Sequence, residues 1–228
     1  MPYRSFLPFA TMAALLATPA LARVDEDVQA WANFTVIGTV GPRLAYFAEV
    51  QPRTADGAGR IGQLLLRPAL GWRFSNAVTG YLGYARVIGQ PRTGPDTHEN
   101  RTFAQLSWDL GAVAGGRLTS RTRLERREVS TGRDTGWRVR EFLRYTHPLT
   151  TPDKPRALVY EEVFAVLDDT DWGARAGFDQ ARTFVGLEVP LAGSRTTIDI
   201  GYLNQTINDP GGRLRVNHVA SLTVWIRP

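Results

Sequence analysis

Two neighbouring stretches of the sequence carry arginine at alternate positions, which is the pattern with the clearest chemical meaning. These arginines are Arg121, Arg123, Arg127, Arg138, Arg140 and Arg144. Alternate side chains of a β-strand share one face, and neighbouring strands lie about 4.8 Å apart, so paired strands would form one basic wall. Glu125 is the carboxylate that the same alternation adds to this wall. Because arginine binds carboxylate and phosphate bidentately and lines anion pathways, the pattern predicts an anion site or a salt-bridge network.

The same alternation in the rest of the chain predicts a polar face with twice as many arginines as carboxylates. Its arginines are Arg53, Arg67, Arg73, Arg86, Arg101, Arg121, Arg123, Arg127, Arg138, Arg140, Arg144 and Arg182. Its carboxylates are Glu49, Asp109, Glu125, Glu162, Glu188 and Asp199. Paired charges could fill a narrow interior as a salt-bridged plug. The arginine surplus supports the other interpretation, a narrow anion-preferring pore in which Glu188 and Asp199 face the basic wall across the lumen.

Residues suited to enzymatic or metal chemistry are few and far apart. The chain has no cysteine, and its three histidines show no metal-binding spacing. His218 and Ser221 could serve an outer-membrane lipid hydrolase, the competing function, but residues three apart on a strand point to opposite faces. The loop Asp168–Asp171 could bind calcium or bridge to lipopolysaccharide, although it lacks the glycine and glutamate of an EF-hand. We expect no enzyme activity, no cofactor and no metal.

Strands would position these residues, because the sequence alternates between apolar and polar residues in segments about ten residues long. In residues 179–191, for example, the odd positions are mostly apolar and the even positions include Arg182 and Glu188. Eleven such segments lie near 27–37, 44–53, 60–74, 78–90, 100–112, 117–129, 136–149, 156–168, 179–190, 195–207 and 214–226. Short connections and longer polar connections alternate between them, as in bacterial outer-membrane barrels.

The expected fold is all-β, an antiparallel transmembrane β-barrel with short periplasmic turns and longer outer loops. Single-chain bacterial barrels have even strand numbers, so we expect about 12 strands, with 10 as the alternative. A soluble β-sandwich or a lipocalin-like periplasmic binding protein would alternate in the same way, with its apolar face inside. Long strands and aromatic residues near segment ends, such as Trp72 and Trp137, favour the membrane.

The first 22 residues predict export. They contain Arg4, an apolar centre at Phe6–Ala17, and Ala20-Leu21-Ala22 at a small-x-small cleavage site. We therefore expect residues 1–22 to be a cleaved signal peptide and residues 23–228 to be a single outer-membrane barrel domain. The expected partners are outer-membrane lipid, lipopolysaccharide, the barrel-assembly machinery during biogenesis, and small anions. Nucleic acid is not expected despite an isoelectric point near 10.0, because the arginines would face a lumen.

Several short motifs carry a resemblance to a known family. They are Trp31, Glu162-Val163-Phe164, Phe178-Asp179-Gln180-x-Arg182-x-Phe184-x-Gly186, Gly201-Tyr202-Leu203-Asn204-Gln205 and Asn217-His218-Val219. In these motifs the chain resembles a family of bacterial outer-membrane barrels catalogued as domain of unknown function 2490, over nearly all of the mature chain. The resemblance implies an outer-membrane location and a barrel architecture, and it assigns no activity. Residues 224–228 depart from the usual barrel ending because they do not finish on an aromatic residue.

Overall fold

The computed structural model describes residues 24–151, 154–209 and 211–228, which form a β-barrel. The strands are β1 (Val24–Val40), β2 (Leu44–Ala55), β3 (Arg60–Arg73), β4 (Val78–Gly89), β5 (Thr97–Val113), β6 (Gly116–Val129), β7 (Thr135–Pro148), β8 (Arg156–Val166), β9 (Gly177–Pro190), β10 (Thr196–Asp209) and β11 (Arg213–Ile226). None of the described residues belongs to a helix long and apolar enough to span a membrane. The signal peptide expected at residues 1–22 lies outside the described residues.

A parallel pair of strands closes the barrel. Each strand pairs antiparallel with the next along the chain, and β1 then pairs parallel with β11. The closing register runs from Val24 beside Leu214 to Val36 beside Ile226. Because this pair joins the two edges of the sheet, closure leaves the barrel without an open edge.

The described residues form eleven strands, one fewer than the expected 12 and one more than the alternative 10. The eleven segments counted in the sequence correspond to these strands one to one. The requirement for an even number fails because it assumes that every neighbouring pair is antiparallel. With an odd number, the first and last strands run in the same direction and close in parallel, as β1 and β11 do.

The connections between strands lie at two ends of the barrel, which we call the turn end and the loop end. The turn end holds residues 41–43, 74–77, 114–115, 149–151, 154–155 and 191–195. The loop end holds residues 56–59, 90–96, 130–134, 167–176 and 211–212. At the turn end, Ala114 and Gly115 have φ values of +47° and +81°. Two successive left-handed residues are typical of the type I′ turn, which matches the twist of a hairpin.

Side chains alternate between the inside and the outside of the barrel. On β3, Arg67 is buried whereas Leu66 and Leu70 are exposed. On β9, Arg182 is buried and Leu187 is exposed, which agrees with the register that the sequence predicts. The outer surface therefore carries many large apolar side chains, and the interior carries a dense set of charges.

The interior also contains two apolar clusters. One consists of Trp31, Leu158, Phe184, Leu203 and Val219, and the other of Ala45, Phe47, Ala69, Tyr81 and Phe103. The ring of Phe184 covers Gly186 and Gly201, which are register partners on β9 and β10. A Cβ atom at either glycine would lie less than 3 Å from Phe184 Cζ. These glycines of the family-like motifs thus make room for an aromatic ring that covers the bare backbone.

A β-bulge changes the side of the sheet that Asp179 faces. The sequence alternation places Asp179 on the apolar outer face, and this placement is wrong. The register between β8 and β9 shifts at Phe164 and Ala165, which leaves Asp179 without a cross-strand partner. The side chain turns inward, where its carboxylate accepts a hydrogen bond from Arg138 Nη1 at 3.0 Å. A single extra residue in one strand is enough to redirect a side chain in this way.

Arg86 also lies on the opposite face from the expected one. Its neighbours Ala85 and Val87 on β4 are buried inside the barrel, so Arg86 faces outward. The guanidinium group donates a hydrogen bond to Asn100 Oδ1 at 2.7 Å. Arg86 lies close to the loop end, where a long arginine side chain can extend its charged group to water.

Two glutamates of the outer face, Glu141 and Glu161, are held by hydroxyl groups. Glu161 points outward, opposite to its neighbour Glu162, and accepts a hydrogen bond from Thr183 Oγ1 at 2.6 Å. Glu141 accepts from Thr122 Oγ1 at 2.6 Å and from Ser120 on the same neighbouring strand. These hydroxyl donors satisfy carboxylate oxygens that have no arginine beside them.

We expect cysteine cross-linking to detect the parallel closure, because the chain has no native cysteine. Ala30 and Ala220 are register partners on β1 and β11, and a disulfide needs Cα atoms roughly 4.4–6.8 Å apart. The double variant Ala30→Cys/Ala220→Cys should therefore form an intramolecular disulfide on oxidation, measured as a mobility change on a non-reducing gel. The control pair Ala32→Cys/Ala220→Cys is displaced by two residues and should not cross-link. Equal cross-linking of both pairs would contradict this register.

Candidate functional site

The barrel interior contains the charged residues of the predicted basic wall and its carboxylates. Strands β6–β10 place all of them on the inner face, buried or half-buried. The arginines are Arg121, Arg123, Arg127, Arg138, Arg140, Arg144 and Arg182, and the carboxylates are Glu125, Glu162, Glu188 and Asp199. The inner face is therefore the candidate functional site, and its ion pairs determine how the charges are arranged.

Glu125 on β6 is the most deeply buried carboxylate of this network, with 1% of its surface exposed. It accepts hydrogen bonds from Arg138 Nη2 at 2.6 Å and from Arg140 Nη1 at 2.7 Å, both from β7. Arg123 Nη1 lies 3.6 Å from the same carboxylate. A buried charge is stable only when it is paired and hydrogen-bonded, and Glu125 meets both conditions.

Glu162 on β8 is bound by arginines from three strands. Arg121 Nη2 and Arg140 Nη2 each donate to Glu162 Oε1 at 2.6 Å. Arg182 Nη1, on β9, donates to the other carboxylate oxygen at 3.4 Å. Arg140 therefore joins Glu162 to Glu125, and the resulting chain of ion pairs connects β6, β7, β8 and β9.

Two further inner carboxylates, Glu99 and Asp179, are absent from the sequence-based set. Glu99 accepts hydrogen bonds from Arg101 Nη2 at 2.7 Å and from Arg127 Nε at 2.5 Å. The sequence interpretation assigned Glu99 to a loop, whereas β5 begins at Thr97. Glu99 and Arg101 are two residues apart and therefore share a face of the strand. A predicted segment that began at residue 97 instead of residue 100 would have included Glu99.

These changes narrow the charge surplus that the sequence predicts for the interior. Removing Arg86 from the twelve arginines and adding Glu99 and Asp179 to the six carboxylates leaves eleven arginines against eight carboxylates. Of the eleven, Arg73 is exposed at the turn end of β3. Arginines still outnumber carboxylates in this set. What an anion would meet inside the barrel depends more on where these arginines lie than on their number.

The pore interpretation of the sequence expects Glu188 and Asp199 to face the basic wall across a gap. In the structure no gap separates them from Arg144 of that wall. Arg144 Nη2 donates to Glu188 Oε2 at 2.6 Å and to Asp199 Oδ1 at 3.2 Å. Glu188 also binds Arg156, and Asp199 accepts a hydrogen bond from Trp225 Nε1 at 2.8 Å. Arg144 belongs to the basic wall, so near the turn end the two sets of charges meet in salt bridges, which is the arrangement that the plug interpretation describes.

Aromatic rings hold several of the interior arginines in place. The guanidinium carbons of Arg140 and Arg182 lie 4.5 and 4.6 Å from the ring centre of Phe164. The guanidinium carbon of Arg53 lies 4.0 Å from the ring centre of Trp31, and that of Arg182 lies 5.1 Å from the same centre. Cation–π contact uses the flat face of the guanidinium group and leaves its in-plane N–H groups for hydrogen bonds.

Two cavities extend into the interior from the two ends of the barrel. The loop-end cavity has a volume of about 790 Å³, and the turn-end cavity has a volume of about 450 Å³. The residues that line both cavities, which we call the waist, are Trp31, Arg53, Arg67, Arg140 and Arg182. Apart from the waist, six arginines and three carboxylates line the loop-end cavity, whereas four of each line the turn-end cavity. Positive charge is therefore concentrated at the waist and toward the loop end.

His218 and Ser221 lie on opposite sides of β11, as the alternation predicts. His218 is on the outer face, where its Nδ1 atom lies 2.7 Å from the Tyr202 hydroxyl. Ser221 lines the turn-end cavity. The structure therefore does not bring this pair together as a nucleophile and base. Nor do the described residues contain a group of three or more histidine, aspartate or glutamate side chains that could hold a metal ion.

The acidic loop between β8 and β9 uses its carboxylates to bind backbone N–H groups. Asp168 accepts a hydrogen bond from the N–H of Trp137 at 2.8 Å. Asp171 accepts from the N–H groups of Arg133 and Asp134 at 2.8 and 3.1 Å. These backbone donors hold the pKa of the Asp171 carboxyl below its ordinary value of 3.8. The carboxylates thus fasten two loop-end connections together, which differs from the convergent oxygens of a calcium site.

We expect Glu125→Gln to lower the free energy of unfolding by about 3–5 kcal/mol, because it removes the buried partner of Arg138 and Arg140. The matched control is Glu128→Gln on the same strand, which removes an exposed ion pair with Arg126 and should cost less than about 1 kcal/mol. Urea unfolding of the refolded protein in detergent, followed by tryptophan fluorescence, measures both changes. Equally small effects would show that the interior ion pairs do not stabilise the fold.

Comparison with known proteins assigns the chain to a family. Residues 28–216 match the family described as Protein of unknown function (DUF2490). The chain is 43% identical over 216 residues to the Uncharacterized protein MexAM1_META1p0181 of Methylorubrum extorquens, which covers 93% of this chain and 94% of that protein. No solved structure matches the sequence significantly. The chain therefore belongs to the DUF2490 family of proteins of unknown function.

Proposed function

We propose that this protein is an outer-membrane β-barrel whose interior forms a narrow pathway that prefers small anions. The observation that carries the proposal is the waist, where the two cavities share four arginines and one tryptophan. Rings of arginine are the usual lining of pores that select anions. The waist would therefore be the point at which an ion is selected.

The outer surface of the barrel supports a membrane location. Leu70, Leu82 and Val185 are 65%, 71% and 57% exposed on the outer face. Burying this apolar surface in lipid is favourable, whereas leaving it in water promotes aggregation. The strands have 11–17 residues, which is long enough for a tilted span of a bilayer. The export signal expected at residues 1–22 supports the same location.

The ion pairs would moderate how tightly the pathway holds an anion. Arg140 and Arg182 at the waist are each bound to Glu162, and Arg67 is bound to Glu49. A fully uncompensated ring of arginines would hold an anion too strongly to release it, and conduction requires binding weak enough to permit exit. The carboxylates therefore fix the arginines in position and reduce their net attraction.

A closed structural barrel is the second candidate function. The observation that favours it is that Arg140 binds both Glu125 and Glu162. These buried ion pairs join neighbouring strands. Side chains can fill much of the interior of a narrow barrel. In that case the arginines would stabilise the barrel and conduct nothing, as the plug interpretation of the sequence states.

Fractionation of cells provides the first test, and we expect the protein in the outer membrane with a gel mobility that changes on boiling. In liposomes, Val185→Arg places a charge on the exposed outer face of β9 and should cost roughly 2–4 kcal/mol of stability. The control Leu191→Arg makes a similar change in a turn and should cost little. Recovery in the soluble periplasm would contradict the location, and equal costs would contradict lipid contact at Val185.

Conductance of the refolded protein in planar bilayers tests the pathway itself. We expect current steps with a reversal potential that shows anion preference. Arg123→Gln should reduce this preference and cost less stability than Glu125→Gln, because Arg123 donates its hydrogen bonds to the amide oxygen of Gln105 and lies 3.6 Å from Glu125. The control Arg126→Gln changes an outer-face arginine and should leave selectivity unchanged. Absence of current would support the closed barrel, and cation preference would overturn the proposal.

A further inference from the structure

The waist is filled by side chains from strands on different sides of the barrel. Its five residues are Trp31 on β1, Arg53 on β2, Arg67 on β3, Arg140 on β7 and Arg182 on β9. Arg53 is half-buried, and the other four are between 4% and 8% exposed, although all five line both cavities. The waist therefore leaves little open space between the two cavities. Passage of an anion from one cavity to the other requires a side chain of the waist to move.

The ring of Trp31 lies across the interior and links two of these arginines. The guanidinium carbon of Arg182 lies 5.1 Å from the ring centre, although β10 and β11 separate the strands of the two residues. Because neighbouring strands are about 4.8 Å apart, this contact spans the interior instead of following the wall. The guanidinium carbon of Arg53 lies 4.0 Å from the same ring centre. Trp31 thus occupies the space between arginines of β2 and β9.

Buried ion pairs fix three of the waist arginines. Arg140 and Arg182 bind Glu162, and Arg67 binds Glu49. Movement of any of these arginines would separate a buried charge from its partner, which is strongly unfavourable. These three side chains are therefore the fixed part of the waist.

Trp31 and Arg53 are held by weaker interactions. Trp31 Nε1 donates a hydrogen bond to Gln29 Oε1 at 2.8 Å, and its ring packs in the apolar cluster without a directional bond. Arg53 donates to the neutral side chains of Gln51 and Gln63 at 2.7 and 2.9 Å. It forms no ion pair with a carboxylate among residues 24–151, 154–209 and 211–228. Trp31 and Arg53 are therefore the waist residues that can be displaced without separating an ion pair.

The backbone beside Trp31 is also less constrained than elsewhere on β1. Within the described structure, the register between β1 and β2 gives no partner on β2 to Ala32 and Asn33, the two residues that follow Trp31. Pro52 on β2 lies at this gap and has no N–H group to complete the ladder. A local shift of β1 at Trp31 would therefore break fewer hydrogen bonds to β2.

We propose that Trp31 is the gate of the anion pathway: its ring closes the waist, and displacement of the ring together with Arg53 opens it. The gate rests on the proposed function and names the residue that controls passage. Apolar constrictions close pores because they exclude water. The four waist arginines then provide the preference for anions, and Trp31 limits the flow. This role also accounts for the tryptophan with which the family-like motifs begin.

Recording in planar bilayers with the refolded full-length protein tests the gate. Trp31→Ala removes the ring and keeps the four waist arginines, so the single-channel current should rise severalfold and the anion preference should persist. The control Leu158→Ala shortens a buried side chain of the same apolar cluster, at a position that does not contribute to the described lining of either cavity. It should lower stability and leave the current unchanged. An unchanged current in Trp31→Ala would show that Trp31 is only structural and would overturn the gate.

Two further variants keep the test valid if Trp31→Ala does not refold. Gln29→Leu keeps the ring but removes its hydrogen-bond acceptor, so openings should become more frequent. Trp31→Cys places the one thiol of the chain at the gate, and a bulky thiol reagent added during recording should reduce its current. The control Ala30→Cys lies on the opposite face of β1 and should not respond to the reagent. Native opening frequency in Gln29→Leu, or an unaltered current after modification of Trp31→Cys, would contradict the gate.

Failure of the gate differs from failure of the pathway. An anion-selective native current that Trp31→Ala leaves unchanged would overturn the gate and leave the pathway standing. A cation-selective current that Trp31→Ala increases would overturn the anion pathway and leave the gate standing. Current from Trp31→Ala but not from the native protein would support the gate, and absence of current from both would overturn the pathway and the gate together.

Discussion

The bond of one guanidinium group to two carboxylates is the interaction on which the barrel interior depends. Arg140 on β7 binds Glu125 on β6 and Glu162 on β8, and all three side chains are at least 95% buried. Each carboxylate in turn binds further arginines, so the loss of Arg140 would weaken two groups of ion pairs together. Removal of one partner from a buried pair leaves an uncompensated charge, which costs more than the pair contributes. Loss of any one of these three side chains therefore affects the stability contributed by the other two more than it would in an exposed ion pair.

Geometry explains how a narrow barrel accommodates so many arginines. Their planar groups are stacked against aromatic rings, as Arg140 is on Phe164 and Arg53 is on Trp31. A ring covers the poorly hydrated face of guanidinium and leaves its edge free to form hydrogen bonds. Lysine could not replace arginine here, because a point charge offers neither a flat face nor a fixed fork of donors. This requirement is consistent with the composition, in which Lys154 is a lone lysine among the basic residues.

Alternation in the sequence predicts the local structure well, because a single inward residue fixes the face of every second residue along a strand. The segments 60–74 and 179–190 differ by no more than two residues from β3 and β9, and the basic wall faces inward. Alternation gives the eleven segments but carries no information about which strands pair at the closure, so the parallel pairing of β1 with β11 could not follow from it. The bulge at Asp179 interrupts the alternation. The start of β5 before Glu99 extends the strand beyond the segment identified in the sequence. The pairing of Arg144 with Glu188 and Asp199 depends on the register between strands, which local pattern leaves undetermined.

The direction of the electric field inside the barrel follows from that register. The sequence interpretation gives a transverse field between a basic and an acidic wall, but Glu188 and Asp199 are neutralised by Arg144 at the turn end. The positive surplus that remains lies at the waist and in the loop-end cavity, so the field is directed along the barrel axis. In the proposed pathway, an anion is drawn from the loop end to the waist and meets a balanced set of charges beyond it. Release of the anion then depends on how strongly Glu49 and Glu162 compete for the waist arginines. The same carboxylates that stabilise the fold therefore also set the affinity of the waist for an anion.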